Sequence, residues 1–221
     1  MPYLVVDFDR PIGEGTERRV VDHPERPGRA VKVYNERRPQ MVAKGMAGCA
    51  YRFSPAVRNR RQRRELECFL DLHMRGMTAS PDLPIASIVG FCQTSHGPEL
   101  EVEKIRRTAA SDEAAPNLRW LLARPHQRPA LPGLLNDLMD RLDRFGIYVS
   151  DANHENLMLS DVNGQRRLVM VDGFGDFRLI RLFPHSPFMI RRSIRRAFRA
   201  HAKEWGLAWD DASGRFAVNL P

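Results

Sequence analysis

Two carboxylates and a carboxamide stand around one pair of short apolar runs. Asp151 and Asn156 lead into Asn-Leu-Met-Leu-Ser (156–160), and Asp172 ends Arg-Leu-Val-Met-Val (167–171) before Gly173-Phe174-Gly175. Side chains of this kind offer the hard oxygen ligands that Mg²⁺ takes while leaving positions open for phosphate. The runs are separated by Asp161-Val162-Asn163-Gly164, where Asn-Gly is a strong turn signal, so they predict a β-hairpin. A hairpin would hold the three groups near one another on a rigid frame. The plainer alternative is an Asp-initiated turn followed by a glycine-rich turn after a strand. His154, two residues before Asn156, is a second base, a substrate contact or a surface loop histidine.

A cation of interest lies far upstream. Lys32 is centred in the apolar run Arg-Ala-Val-Lys-Val-Tyr (29–34). An unpaired buried charge is costly, so this lysine predicts either a partner or an exposed sheet edge. Residues 56–75 form a helix candidate in which Leu66, Phe69, Leu70 and His73 recur at helical spacing, with Gly76 as its stop. Glu65 and Glu67 on that helix face about 200° apart. Glu65 shares a stripe with Phe69 and Leu72 and is the better partner for Lys32. A solvated pair with Arg61 or Arg64 is the other reading.

The elements that must position these groups follow in order. Residues 4–8 read as a strand. Pro11-Ile12-Gly13-Glu14-Gly15 then places two glycines in a turn whose backbone N–H groups could approach phosphate. Residues 19–22 and 29–34 return as strands, and 84–93 and 98–105 form two more. Residues 35–54 are an irregular basic insert, and 108–116 are linker-like. Residues 118–122 begin helical material that stops near Pro125. Residues 131–145 carry Leu131, Leu134, Leu135, Leu138, Met139, Leu142 and Phe145, an apolar stripe that ends at Gly146. Residues 188–205 form a basic amphipathic helix whose stripe is Ile190, Ile194, Ala197, Phe198 and His201. It packs on its own domain or lies on an anionic surface. Residues 215–218 offer one short strand.

Composition bounds the reading. The 221 residues suffice for one large domain or two small lobes, and 43% hydrophobic content excludes a disordered chain. The net charge of +8 permits nucleotide, nucleic acid or acidic membrane as a partner. Cys49, Cys68 and Cys92 lack metal-type spacing and fit a reduced compartment. The N-terminal residues lack a basic start and a long apolar core, and no run of about 18 apolar residues exists. These features lead to the expectation of a cytoplasmic protein with no transmembrane segment.

The joint order is more specific than any part: Gly-x-Gly, a strand lysine, a Glu-bearing helix, Asp-x-x-x-x-Asn, then Asp-Gly-Phe-Gly. It resembles the protein-kinase-like superfamily. Within it the chain looks like the small bacterial YrbL family of PhoP-regulatory-network proteins. Pro-Ile-Gly-Glu-Gly, Arg-Arg-Val-Val-Asp-His-Pro-Glu, Arg-Ala-Val-Lys-Val-Tyr, Arg-Arg-Glu-Leu and Val-Asp-Gly-Phe-Gly-Asp carry the likeness, over roughly residues 10–180. The resemblance implies an α+β, two-lobed protein-kinase-like fold. Residues 1–107 would be an N-lobe with a five-stranded antiparallel sheet, and 108–221 a reduced, mainly helical C-lobe. It further implies ATP and Mg²⁺ as cofactors. Gly13, Gly15, Val20 and Lys32 would contact nucleotide, and Glu65 would pair with Lys32. Asn156 and Asp172 would bind metal, and Asp151 would be the catalytic base. Residues 103–107 would be the hinge.

Four departures alter that picture. Arg18 replaces the usual third glycine, where it contacts phosphate or hinders it. Val149-Ser150 replaces the usual His-Arg, and Asn153 stands where protein kinases often carry a lysine. No Ala-Pro-Glu landmark follows Asp172. Three functions remain. One is an ATP:hydroxyl phosphotransferase whose acceptor is an unidentified small molecule or protein. Another is a nucleotide-binding regulatory pseudokinase. The third is a basic interaction module for membrane or nucleic acid. Few aromatics interleave the basic runs, so DNA is not the expected partner.

Overall fold

The computed structural model describes residues 3–15, 18–34, 60–95, 97–162, 164–175 and 186–218. The predicted insert at 35–54 lies outside them, as do residues 56–59 of the predicted helix, Asn163 and the stretch 176–185. The fold is α+β, with one five-stranded sheet, two two-stranded sheets and four α-helices among the described residues. The chain divides into two compact units, Met1–Leu66 with Ser87–Lys104, and Glu67–Ala86 with Ile105–Pro221.

The first unit is an antiparallel sheet. Its strands are β1 (Gly13–Glu14), β2 (Arg18–Asp22), β3 (Arg29–Tyr34), β4 (Ile88–Thr94) and β5 (Gly97–Glu103), in the order β1-β2-β3-β5-β4. β-Branched residues populate β2 and β3 and bury on a pleated surface. Val6, Val21, Val31 and Val33 form a core, with Leu4, Phe8 and Cys92 against it.

The first expected strand, residues 4–8, is corrected here. Only Leu4 pairs, in a parallel bridge to Thr94, with its N–H donating to the Gln93 carbonyl at 2.8 Å. Val6 of that run is buried without joining a ladder while Val5 is exposed, and Gly13–Glu14 takes the edge position beside β2. The expected strand 84–93 is also divided. Residues 84–86 run beside Met170 in the second unit, and the sheet strand starts at Ile88.

In the second unit, α2 (Leu118–Leu122) is capped by the Asn117 side chain, which accepts from the Trp120 N–H at 3.0 Å. After a 3₁₀ turn at Pro125–Ala130 comes α3 (Leu131–Phe145). Leu131, Leu135, Leu138, Met139, Leu142 and Phe145 are all buried, as their spacing requires. Gly146 ends the helix in the left-handed region at φ 71°, a geometry glycine adopts without strain. β6 (Leu157–Val162) and β7 (Gln165–Met170) form the hairpin. Pairing reaches Val162↔Gln165, so its turn is tighter than the four-residue connection expected. Residues 105–117 are no free linker. Ala115 N–H donates to Ile105 O at 2.8 Å, and Asp161 and Leu159 N–H groups donate to Arg107 and Pro116 carbonyls at 3.0 and 2.8 Å.

α1 (Arg60–Met74) contributes its residues through Leu66 to the first unit and the rest to the second. α4 (Pro187–Ala202) buries Ile190, Ile194, Ala197 and Phe198, so the basic helix packs on its own unit. β8 (Trp209–Asp210) and β9 (Arg215–Phe216) close an aromatic cluster of Phe198, Trp205, Trp209 and Phe216. No described helix is long and apolar enough to cross a membrane.

Within this unit Asp82 ties its loop to β7 through Arg167 and to α3 through Arg144, the latter at 3.0 Å. The Arg167 guanidinium bonded to Asp82 holds its carboxyl below the usual carboxylate value. A depressed folded-state pKa means this contribution is present above the unfolded value and lost as pH falls through the folded one. Melting temperature measured against pH is therefore expected to fall less steeply on the acid side for Asp82→Asn than for the wild type. Leu142→Ala, in the fully buried stripe, is expected to cost about 2–5 kcal/mol in urea unfolding.

Candidate functional site

In the first unit, antiparallel register does the positioning. Gly13 pairs with Val20, Val20 with Lys32 and Lys32 with Leu100. Paired residues share a face, so Gly13, Val20 and Lys32 lie in one cross-strand row. Gly15 N–H donates to Arg18 O at 2.8 Å and closes the β1–β2 turn. Among the described residues, a side chain at Gly13 or Gly15 would meet only ordinary contacts, at 3.7 and 3.5 Å. The backbone itself does not demand glycine there.

Lys32 is 3% exposed and Glu65 is fully buried. Lys32 Nζ lies 2.7 Å from Glu65 Oε2, so the strand lysine has the helix partner that its burial required. The solvated alternative for Glu65 is excluded by that burial. The same carboxylate takes Arg18 Nη2 on its other oxygen at 2.6 Å. Arg18, expected at the tip of the glycine loop, is instead buried in β2 and bound to the helix glutamate. Gln62, one turn earlier on α1, donates to the buried Glu99 at 3.4 Å. Removing one partner of a buried pair costs about 3–5 kcal/mol, because the other charge is left uncompensated.

In the second unit, the loop before β6 and the loop after β7 are fastened to each other. The carbonyl of Gly173 accepts from the Ser150 N–H at 2.8 Å, the Asp151 N–H at 3.1 Å and the Ser150 hydroxyl at 2.8 Å. Val149 bridges Phe174, and Gly175 N–H donates to Tyr148 O at 2.9 Å. Gly173 has φ 83°, and a Cβ there would lie 2.0 Å from the Asp151 carbonyl oxygen and 3.1 Å from Asn156 Nδ2. Glycine is obligatory at that position. It lets the Asp172–Gly173 turn pack directly against the Asp151 carbonyl and the Asn156 side chain, as one knot.

The side chains in the knot are ordered by short-range bonds. Asp151 Oδ1 accepts the Asn153 N–H at 3.0 Å, and Asn153 Oδ1 accepts the Glu155 N–H at 3.2 Å. Asn156 N–H donates to Asn153 O at 2.9 Å. Asp172 Oδ1 accepts its neighbour's Gly173 N–H at 2.6 Å. Asn153, expected where a phosphate-neutralising lysine often stands, is thus a turn former.

Sequence reasoning missed several supports. Ser150, read as a departure, clamps Gly173. Ser193 of α4 accepts the Val149 N–H at 3.1 Å and donates to Ile190 O at 2.7 Å, anchoring the segment that leads to Asp151. His201, placed on the apolar stripe, sets Nε2 3.4 Å from Asp151 Oδ1. Its Nδ1 lies 3.1 Å from Glu204 Oε2, and His154 Nδ1 lies 3.6 Å from Glu204 Oε1. The only sequence signal for this cluster is the i, i+3 spacing of His201 and Glu204.

The donor set can be tested against Mg²⁺. Asp172 and Asn156 would offer one carboxylate and one amide oxygen, both hard donors. No group of three or more His, Cys, Asp or Glu residues able to hold a metal ion occurs among the described residues. Two protein ligands fit an ion that draws its remaining ligands from water and phosphate, and do not fit an all-protein cage. Gly173→Ala is expected to destabilise the second unit by about 1–3 kcal/mol in urea unfolding, from backbone strain and the clash with Asp151.

A search of curated proteins finds no match. The sequence model of the family described as PhoP regulatory network protein YrbL matches residues 6–206, a span that holds both the Lys32–Glu65 pair and the Asp151–Asp172 knot. The chain therefore belongs to the YrbL family.

Proposed function

We propose that the chain is an ATP- and Mg²⁺-dependent phosphotransferase of the protein-kinase-like kind, acting on an acceptor hydroxyl. The observation that carries this reading is the buried Lys32–Glu65 pair at 2.7 Å, upstream of an Asp-x-x-x-x-Asn loop fastened to an Asp-Gly turn. A lysine paired with a helix glutamate in an apolar strand suits the orientation of anionic phosphate oxygens. Gly13, Gly15 and Val20 sit in or beside the strand row that carries Lys32 and would contact the nucleotide.

Asn156 and Asp172 would hold Mg²⁺, which when bound neutralises charge on the phosphate oxygens. Asp151, about half exposed, would orient the acceptor hydroxyl and take its proton. The hydroxyl oxygen bonds to the terminal phosphorus, and the bond from that phosphorus to the oxygen of ADP breaks. Catalysis of this type is mainly positioning and electrostatics.

A second reading is a nucleotide-binding regulatory protein without transfer. Arg18 favours it, because it takes one oxygen of Glu65 and gives that carboxylate two cations to serve. The family description, which names a regulatory network, is compatible with it. The buried apolar face of α4 leaves less support for a free basic interaction helix.

Calorimetric titration of ATP with and without Mg²⁺ is the primary test. Mg²⁺-dependent binding that weakens at least about tenfold in Asp172→Ala is expected. Asp151→Ala should bind Mg-ATP normally and lose turnover by about 10²-fold or more. Binding with no turnover in the wild type selects the regulatory reading, and absence of binding by folded protein refutes both.

A further inference from the structure

Asp151 is held on one side only. Its Oδ1 accepts the Asn153 N–H at 3.0 Å and faces His201 Nε2 at 3.4 Å. Its Oδ2 has no protein partner among the described residues, and the side chain is 53% exposed. One oxygen is anchored and the other is open to solvent.

His201 is itself fixed. It lies in the last turn of α4, and its ring stacks on Trp205 with centroids 5.5 Å apart and planes 12° apart. In the ring plane, Nδ1 meets Glu204 Oε2 at 3.1 Å. Glu204 also faces His154 at 3.6 Å, so the groups around this imidazole are Asp151, Glu204 and, beyond it, His154. Carboxylates only accept, and a neutral imidazole carries one N–H. The ring lies between two carboxylates, with one nitrogen turned toward each.

We propose that His201, oriented by Glu204 and Trp205, is a positioning residue for Asp151: it anchors Oδ1 and leaves Oδ2 to receive the acceptor hydroxyl. The role rests on the phosphotransfer reading. In the step, the hydroxyl proton passes to Oδ2 as its oxygen bonds to the terminal phosphorus of the nucleotide, and ADP departs with the electron pair of the broken bond. His201 touches neither phosphate nor acceptor.

Two measurements on the full chain separate the contact from the role. Ring-nitrogen NMR spectra of His201, recorded without nucleotide, should change in Asp151→Asn chiefly at Nε2 and in Glu204→Gln chiefly at Nδ1. Unchanged spectra in Asp151→Asn overturn the proposal. Mg-ATP hydrolysis, with water as acceptor, reads the role. His201→Ala should lower kcat about tenfold and leave KM for ATP within about twofold, since a displaced group costs rate rather than nucleotide binding. His201→Gln, which keeps an N–H donor, should recover most of the rate. Adding His201→Ala to Asp151→Asn should cost nothing further. A raised KM at constant kcat, or a glutamine variant no better than alanine, overturns the role. A folded wild type that binds no Mg-ATP overturns the phosphotransfer reading and the role with it, while the nitrogen spectra still decide whether the contact exists.

Discussion

Burial of Glu65 is the constraint around which the first unit is built. A fully buried carboxylate cannot remain charged without partners, and here it has Lys32 on one oxygen and Arg18 on the other. Those cations come from adjacent strands. The β2–β3 register and the placement of the first turns of α1 are thus fixed by one anion. Hydrophobic replacement of the trio would pack as well or better, since buried ion pairs are poor sources of net stability. Their retention makes sense where a charge has to be delivered to one point on a sheet.

Around Asp151 the second unit solves a similar placement problem with a backbone group in place of a buried charge. Its device is a carbonyl, that of Gly173, that collects three donors from the loop before β6. Backbone groups have few degrees of freedom, so two loops joined this way hold their side chains more narrowly than salt bridges between long side chains would. Ser193 extends the same logic from α4, tying Val149 to a helix whose arginines face outward. The basic helix is therefore part of the support of the loop that carries Asp151.

Legibility in the sequence followed physical locality. α3 was readable to its ends, because its stripe and Gly146 are both local signals. The hairpin was readable as a hairpin, but its strands were drawn short. Pairing runs on to Val162 and Gln165, beyond the ends that the apolar runs marked. Residues 4–8 misled because an apolar β-branched run reports burial and says nothing about whether a ladder partner exists. Arg18 misled because a loop position was assigned by analogy with glycine, whereas a long cation could fold inward to a carboxylate 47 residues away. His201 was invisible for a different reason. Helical periodicity places a residue on a face and cannot tell a histidine packed in a core from one aimed at an aspartate on another segment. The pairing of Lys32 with Glu65 was legible from residue types and spacing. The hydrogen bonds that fasten the two loops to each other were not, since they join positions such as Ser150 and Gly173, 23 residues apart.

The chain crosses between the two units at three places: Leu66 to Glu67, Ala86 to Ser87 and Lys104 to Ile105. Neither unit is one continuous segment, although the chain order suggests an N-terminal half and a C-terminal half. A single proteolytic cut cannot release one whole unit from the other. A truncated fragment ending near residue 104 would carry residues 67–86 without the structure that they pack with, including Ile85 and Asp82, whose partners lie on β7. The second unit, started at residue 105, would lack that same piece. The lysine–glutamate pair and the aspartate knot therefore cannot be obtained on separate, intact units by truncating the chain at one point.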